Sequence, residues 1–130
     1  MNIALCDDSP LLRRILEAMI YEFGATKNVR LQIRQFESGE DLLEQTVDNQ
    51  IRFDLIFLDQ HMKKLSGVET ALRIREYDRT CHIVFCTGSE PHPQFKAASP
   101  LRILEKPVRM EDIHAVLDKA RVENKGAVSK

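Results

Sequence analysis

At 130 residues, 43% hydrophobic and 30% charged, the sequence has the size and balance of one globular domain that buries a core without staples. A formal net charge of −1, with no lysine- and arginine-rich run before the C-terminus, argues against direct nucleic-acid binding by this domain. No apolar stretch reaches membrane-span length and the N-terminus has no basic region or cleavage site, while Cys6, Cys81 and Cys86 read as reduced core thiols of a cytoplasmic protein.

Strand and helix signals alternate along the chain. Residues 2–6 form a short apolar run, and Ser9-Pro10 then supplies an N-cap with proline at the first helical position. Leu12, Ile15, Leu16, Met19, Ile20 and Phe23 recur at three-and-four spacing, which predicts an amphipathic helix over 10–23 ending at Gly24. Leu31, Ile33 and Gln35 mark one face of a second strand. Ser38-Gly39-Glu40-Asp41 opens a second helix that carries Leu42, Leu43 and Val47.

Residues 54–58 are continuously apolar after Asp54, as expected of a central strand covered on both faces. Ser66 and Glu69 form a capping box for a third helix, with Val68, Ala71 and Leu72 on its buried face. Ile83 to Cys86 make the fourth strand and Leu101 to Leu104 the fifth. Between them Pro91, Pro93 and Pro100 leave only about 94–98 for a fourth helix, which should be short or irregular. The last helix carries Met110, Ile113, Val116, Leu117 and Ala120 on one side, with Glu111 and Asp112 in its first turn. Periodicity ends near Arg121, so the domain is placed at 1–121, with 122–130 as a flexible tail or the start of a linker.

Such alternation implies an α/β fold: a doubly wound, flavodoxin-like sheet of five parallel strands with right-handed crossovers, in the order 2-1-3-4-5. Ligands bind at the carboxyl edge of such a sheet, at the switch between strands 1 and 3. Asp7 and Asp8 end strand 1, Asp59 ends strand 3, Thr87 ends strand 4 and Lys106 ends strand 5. Two like charges ~4 Å apart repel by ~4 kcal/mol at an effective dielectric near 20, so this edge calls for a divalent cation and a lysine. An oxygen-only donor set open to water suits Mg²⁺, and one Mg²⁺ with Lys106 balances the three carboxylates. Thr87 adds a hydroxyl donor, Gly88 removes bulk from the approach, and Asp59 is the carboxylate placed to attack phosphorus. Taken singly, each residue has a plainer reading: Asp7 or Asp8 as a turn former, Thr87 as a β-branched strand residue, Lys106-Pro107 as a strand end.

As a set, Cys6-Asp7-Asp8, Asp54-Leu55-Ile56-Phe57-Leu58-Asp59, Met62, Gly67, Thr87-Gly88 and Lys106-Pro107 resemble the receiver domain of two-component response regulators, over residues 2 to about 120. The resemblance implies that Asp59 is the phosphoacceptor, that Asp8 binds Mg²⁺ directly and Asp7 through water, and that the His61 backbone carbonyl completes the protein ligands. It implies that Thr87 bonds the phosphoryl oxygens, that Lys106 pairs with them, and that the Lys106–Pro107 bond is cis. The implied donor is a histidine kinase or histidine phosphotransfer protein, and the implied activity is a switch with slow self-dephosphorylation rather than an enzyme acting on other molecules. A homodimer is compatible with it, and the output partner is left open.

The chain departs from the family's pattern in several places. Ile103 replaces the usual tyrosine or phenylalanine, Lys63 replaces a common proline, and the segment between Thr87 and Lys106 is about one helical turn short. His61 and Ser89 stand at the two variable positions that tune access of water to the acyl phosphate, against the plainer reading of a solvated loop histidine. His82, His92 and His114 have no ligand-like spacing.

The alternative reading is a pseudo-receiver, an interaction module that works without phosphorylation; the full acidic set argues against it. A flavin carrier would need a hydroxyl- and glycine-rich loop where Asp7-Asp8 stand, and an aspartate-nucleophile phosphatase would need an acid where His61 stands. Ile3-Ala4-Leu5-Cys6-Asp7-Asp8 mildly resembles receivers fused to LytTR-type DNA-binding domains.

Overall fold

The computed structural model describes residues 1–89 and 91–128, with side chains described as far as residue 123. Five parallel strands form one sheet: β1 (Asn2–Cys6), β2 (Gln32–Phe36), β3 (Leu55–Asp59), β4 (His82–Thr87) and β5 (Arg102–Glu105), in the order β2-β1-β3-β4-β5. Every residue of β3 is buried, as its unbroken apolar run requires. Strand side chains alternate between two cores. On one face Ala4, Cys6, Ile56, Leu58, Ile83 and Phe85 meet Leu42 of α2 (Gly39–Leu43) and Val68, Ala71 and Ile74 of α3 (Gly67–Arg75). On the other, Ile3, Leu5, Leu55, Phe57, Val84 and Cys86 meet Ile20 and Phe23 of α1 (Pro10–Lys27) and Ile113, Val116, Leu117 and Ala120 of α4 (Met110–Val128).

Helix α1 starts as its sequence dictates, with Ser9 Oγ accepting from the Leu12 N–H at 3.3 Å and Pro10 at the first position. It does not end at Gly24. It continues to Lys27 and closes on Asn28, whose left-handed φ of 55° lets the Val29 N–H reach Gly24 O at 2.9 Å. Gly24 serves close packing instead: a Cβ there would lie 3.0 Å from both Val29 O and Leu31 Cδ1. Nor is the apolar stripe of α1 buried along its whole length. Ile20 and Phe23 are sealed, whereas Leu12 and Ile15 stay 40% and 48% exposed.

On edge strand β2, Gln35 is exposed and links Arg13 to Glu17 by hydrogen bonds, so it faces α1 rather than a core. Ser38 caps α2 through the Asp41 N–H, and the helix then widens into a π turn over Glu44–Asp48. The capping box at Ser66 and Glu69 forms as its spacing predicts. The last helix runs on to Val128, past the loss of periodicity at Arg121. The remaining expected tail, residues 129–130, lies outside the described residues.

The proline-crowded segment between β4 and β5 is a 3₁₀ segment, Pro93–Ala98. Two contacts fix it. Phe95, 1% exposed, stacks on Phe85 with ring centroids 4.1 Å apart. Arg75, buried at the end of α3, donates through Nε to Ala98 O at 2.7 Å and through a guanidinium nitrogen to Cys81 O at 2.7 Å. A buried guanidinium with carbonyl partners is a charged clamp, absent from the sequence expectation because a lone arginine on a helix reads as solvated.

Candidate functional site

Strand register assembles the site. Cys6 pairs with Leu58 and Asp59 with Cys86, so Asp7 and Asp59 leave adjacent strands side by side. Thr87 pairs with Glu105 and its carbonyl accepts from the Lys106 N–H at 2.9 Å, which brings Lys106 to the same edge. The residues expected to meet do meet: Asp7, Asp8 and Asp59 each offer a carboxylate oxygen within 4.8 Å of the others. Lys106 Nζ lies 2.7 Å from Asp59 Oδ1 and 3.4 Å from Asp7 Oδ2. The Lys106–Pro107 peptide is cis.

The three carboxylates are unequal. Asp8 is exposed, Asp7 half-buried and Asp59 buried. Asp7 is also the turn former that its plainer reading describes, since Oδ1 accepts from the Ser9 N–H at 2.9 Å while Oδ2 faces Lys106. Burial pushes the Asp59 carboxyl above its ordinary value; Lys106 pulls it back, and the charges of Asp7 and Asp8 push it up again. For Lys106 burial acts downward, but the close attraction of Asp59, with Asp7 adding to it, outweighs this and holds the ammonium above its ordinary value. The rise at Asp59 is thus chiefly desolvation, and the rise at Lys106 is the attraction of Asp59 and Asp7.

Asp59 Oδ1 is buried without a well-directed hydrogen bond; the nearby ammonium reaches it off the hydrogen-bond direction, so the contact is an ion pair. An under-coordinated buried oxygen beside two further carboxylates fits a hard divalent cation such as Mg²⁺, and the all-oxygen donor set favours that class over softer metals. Receiver domains in general bind Mg²⁺ through such acidic residues.

Thr87 is buried at the end of β4, with Ser89 as its hydroxyl neighbour at 3.2 Å. His61 and Ser89, both exposed, sit together on the rim, Nε2 to Oγ at 3.1 Å. Gly88 is not required by the fold, because a Cβ there would meet no atom within 4 Å. Ile103 pairs with Phe85, packs half-buried against the core and lines a cleft with Lys106 and Pro107, while Phe95 stacks on Phe85. Lys63 lines a cleft with Asp8, Glu40 and Asp41. Of the other histidines, His114 packs edge-on against Phe23, His92 caps the 3₁₀ segment at the Gln94 N–H, and His82 lies 4.0 Å from Glu123. All three cysteines are free and buried, and burial raises Cys6 and Cys86 to about 12 and Cys81 to about 11, which keeps them as thiols.

Two supporting residues, Arg13 and Gln60, were not singled out from sequence. Arg13 donates to the Asp7 carbonyl at 2.6 Å and so fixes the backbone of the acidic pair. Gln60, buried beside Asp59, accepts from the Val68 N–H at 2.9 Å and ties α3 to the end of β3. Gly67 permits that approach, since a Cβ there would stand 2.5 Å from Asp59 O. The polar Gln60 directly after an apolar strand was the available signal. Beside the site, a cavity of about 430 Å³ runs from Asp59 and Lys106 between Leu12, Ile15, Pro107 and Val108.

Comparison with known proteins agrees with this geometry. A family model described as the response regulator receiver domain matches residues 3–118. The Positive alginate biosynthesis regulatory protein of Pseudomonas aeruginosa is 31% identical over 129 residues, covering 96% of this chain and 49% of its own. The Two-component response regulator ARR22 of Arabidopsis thaliana is 30% identical, covering 90% of this chain and 81% of its own length. Sensory transduction protein LytR of Staphylococcus epidermidis is 34% identical over 90 residues, covering 69% of this chain and 33% of its own. The chain thus spans about half, or less, of two of these three relatives.

In fold, the chain is similar to the N-terminal domain of a response regulator/sensory box/GGDEF 3-domain protein from Carboxydothermus hydrogenoformans, with a TM-score of 0.82 at 20% identity over 98% of this chain and 99% of that one. Vibrio cholerae chemotaxis protein CheY4 gives a TM-score of 0.75 at 23% identity, over 92% and 97%. With the acidic edge, the cis Lys106–Pro107 bond and the strand order in place, the match over residues 3–118 shows that the chain belongs to the response regulator receiver-domain family of two-component signalling.

Proposed function

We propose that the chain is a phosphorylation-controlled switch in which Asp59 accepts a phosphoryl group from a histidine kinase or a histidine phosphotransfer protein. One observation carries the reading: a buried carboxylate, crowded by Asp7 and Asp8, has an ammonium at 2.7 Å and no well-directed hydrogen bond on its inner oxygen. An Asp59 oxygen attacks phosphorus, the bond from phosphorus to the donor nitrogen breaks, and its electron pair leaves with the donor imidazole. Lys106 stands where it would neutralise charge on the phosphoryl oxygens, and Thr87 would donate to one of them. Bound Mg²⁺ would supply positive charge for those oxygens, held by Asp8, by Asp59, by the His61 backbone carbonyl and, through water, by Asp7. The chain's chemistry is then its own phosphorylation and slow hydrolysis.

A protein donor must cover the mouth of the site, and the exposed Leu11, Leu12 and Ile15 beside the 430 Å³ cavity offer it an apolar surface. Among the described residues no helix is long and apolar enough to cross a membrane, which fits a switch reached by a cytoplasmic kinase domain. Similarity to proteins named Transcriptional regulatory protein LytR and Sensory transduction protein LytT, of which the chain spans 47% and 51%, supports a DNA-binding regulator as the setting for this domain.

The test is incubation with acetyl phosphate, with and without Mg²⁺, followed by intact-mass measurement. A Mg²⁺-dependent gain of one phosphoryl group that disappears in Asp59→Asn supports the switch. No gain from a small donor or a protein donor, with no metal binding, would assign the chain to the pseudo-receivers, interaction modules independent of phosphorylation.

A further inference from the structure

The buried Thr87 hydroxyl faces Ser89 rather than the acidic cluster. Its Oγ1 accepts from the Ser89 N–H at 3.2 Å and shares a second hydrogen bond with Ser89 Oγ at 3.2 Å, while Ser89 O stands 3.5 Å away. Ser89 Oγ is in turn 3.1 Å from His61 Nε2 on the loop that follows Asp59. These contacts make a strap across the mouth of the site, from the loop after β3 through Ser89 to the end of β4. Among the described residues, no hydrogen bond joins the Thr87 hydroxyl to Asp59 or Lys106.

A hydroxyl has one proton and two lone pairs. One lone pair of the Thr87 oxygen takes the Ser89 N–H, and when His61 Nε2 accepts the Ser89 hydroxyl proton, the Thr87 proton is directed to Ser89 Oγ. In that arrangement Thr87 must turn its proton away from Ser89 before it can donate to a phosphoryl oxygen on Asp59, and His61 fixes the Ser89 hydroxyl that receives it. We propose that Ser89 and His61 are positioning residues that keep the Thr87 hydroxyl turned away from Asp59, and so set how readily this site takes up a phosphoryl group. The inference rests on the reading of Asp59 as phosphoacceptor. It assigns a shared role to two residues of different loops, acting through a third, where sequence alone offered two separate variable positions.

The strap predicts that its removal releases Thr87. Loss of one neutral hydrogen bond from the resting state raises the rate of phosphoryl gain from acetyl phosphate roughly two- to tenfold in Ser89→Ala. Ser89→Thr, which keeps the hydroxyl, returns the rate to that of the parent chain. His61→Ala moves the rate in the same direction and adds nothing further in the Ser89→Ala background. The decisive comparison is a double-mutant cycle: in a Thr87→Ala background, Ser89→Ala leaves the rate unchanged. An unchanged or slower Ser89→Ala chain, or an equal acceleration without the Thr87 hydroxyl, overturns the strap.

A second measurement stands apart from phosphorylation. Side-chain three-bond couplings by NMR should show one Thr87 rotamer in the parent chain and averaging in Ser89→Ala; averaging in both overturns the proposal. If Asp59 accepts no phosphoryl group, the switch reading fails, and the couplings still decide whether the strap exists.

Discussion

Lys106→Met removes the ammonium that Asp59 and Asp7 share. Its Nζ stands 2.7 Å from Asp59 and 3.4 Å from Asp7, with side-chain exposures of 26%, 5% and 15%. Each attraction is about 4 kcal/mol at ~4 Å and an effective dielectric near 20. Desolvation of the ammonium cancels much of that sum, and breaking a buried pair costs about 3–5 kcal/mol. With Lys106 a quarter exposed, the net expected loss is about 3 kcal/mol at pH 7 without divalent metal. Urea unfolding followed by circular dichroism measures it.

The pH dependence of that loss has a sign. Burial already raises the Asp59 carboxyl, and Lys106 opposes the rise, so in the variant Asp59 protonates at still higher pH. The penalty is therefore full above the variant's raised Asp59 value and shrinks as the pH falls from there toward the parent's. Lys106 itself, held above its ordinary 10.5, contributes stability below that value and loses it as the pH rises through the folded one. Excess Mg²⁺ narrows the gap by binding the folded state. A gap under about 1 kcal/mol, or one that stays constant from pH 7 to pH 4, would refute the charge balance.

Other expectations separate the site from its supports. Arg75→Met strips the Ala98 and Cys81 carbonyls of their donors and should cost about 3 kcal/mol in urea unfolding, with phosphoryl gain from acetyl phosphate little changed. Gly67→Ala drives a Cβ toward the Asp59 carbonyl and should cost about 1–3 kcal/mol while also slowing phosphoryl gain; Gly88→Ala, which meets no atom, should leave the melting temperature unchanged. Leu12→Asp should slow transfer from a histidine-bearing protein donor while acetyl phosphate is used as before; equal slowing with both donors would show that the exposed face of α1 does not seat the donor.

Much of this protein is legible along the chain because strands and their ends are local. An apolar run such as Leu55–Leu58 announces a doubly covered strand, and the polar residue after each run announces what that strand delivers to the sheet's carboxyl edge. Asp7, Asp8, Asp59, Thr87 and Lys106 were recoverable in this way, and the capping signals at Ser9, Ser38 and Ser66 placed the helices behind them. Helix ends were less legible. Gly24 looks like a terminator, yet the helix continues to Lys27, and Gly24 instead leaves room for Leu31 and Val29.

The chain's own pattern determined which residues line the carboxyl edge, because the alternation of strand and helix leaves one parallel sheet and one switch point. Tertiary structure decided what those residues do to one another. Burial set the inequality among the three carboxylates, since desolvation belongs to a position in the sheet and not to an aspartate. Register and loop path brought His61 to Ser89 and Ser89 to Thr87, across 28 positions of sequence in the first case. The clamp of Arg75 on the shortened segment arose the same way: a guanidinium reads as solvent-facing until the carbonyls that satisfy it have been folded around it.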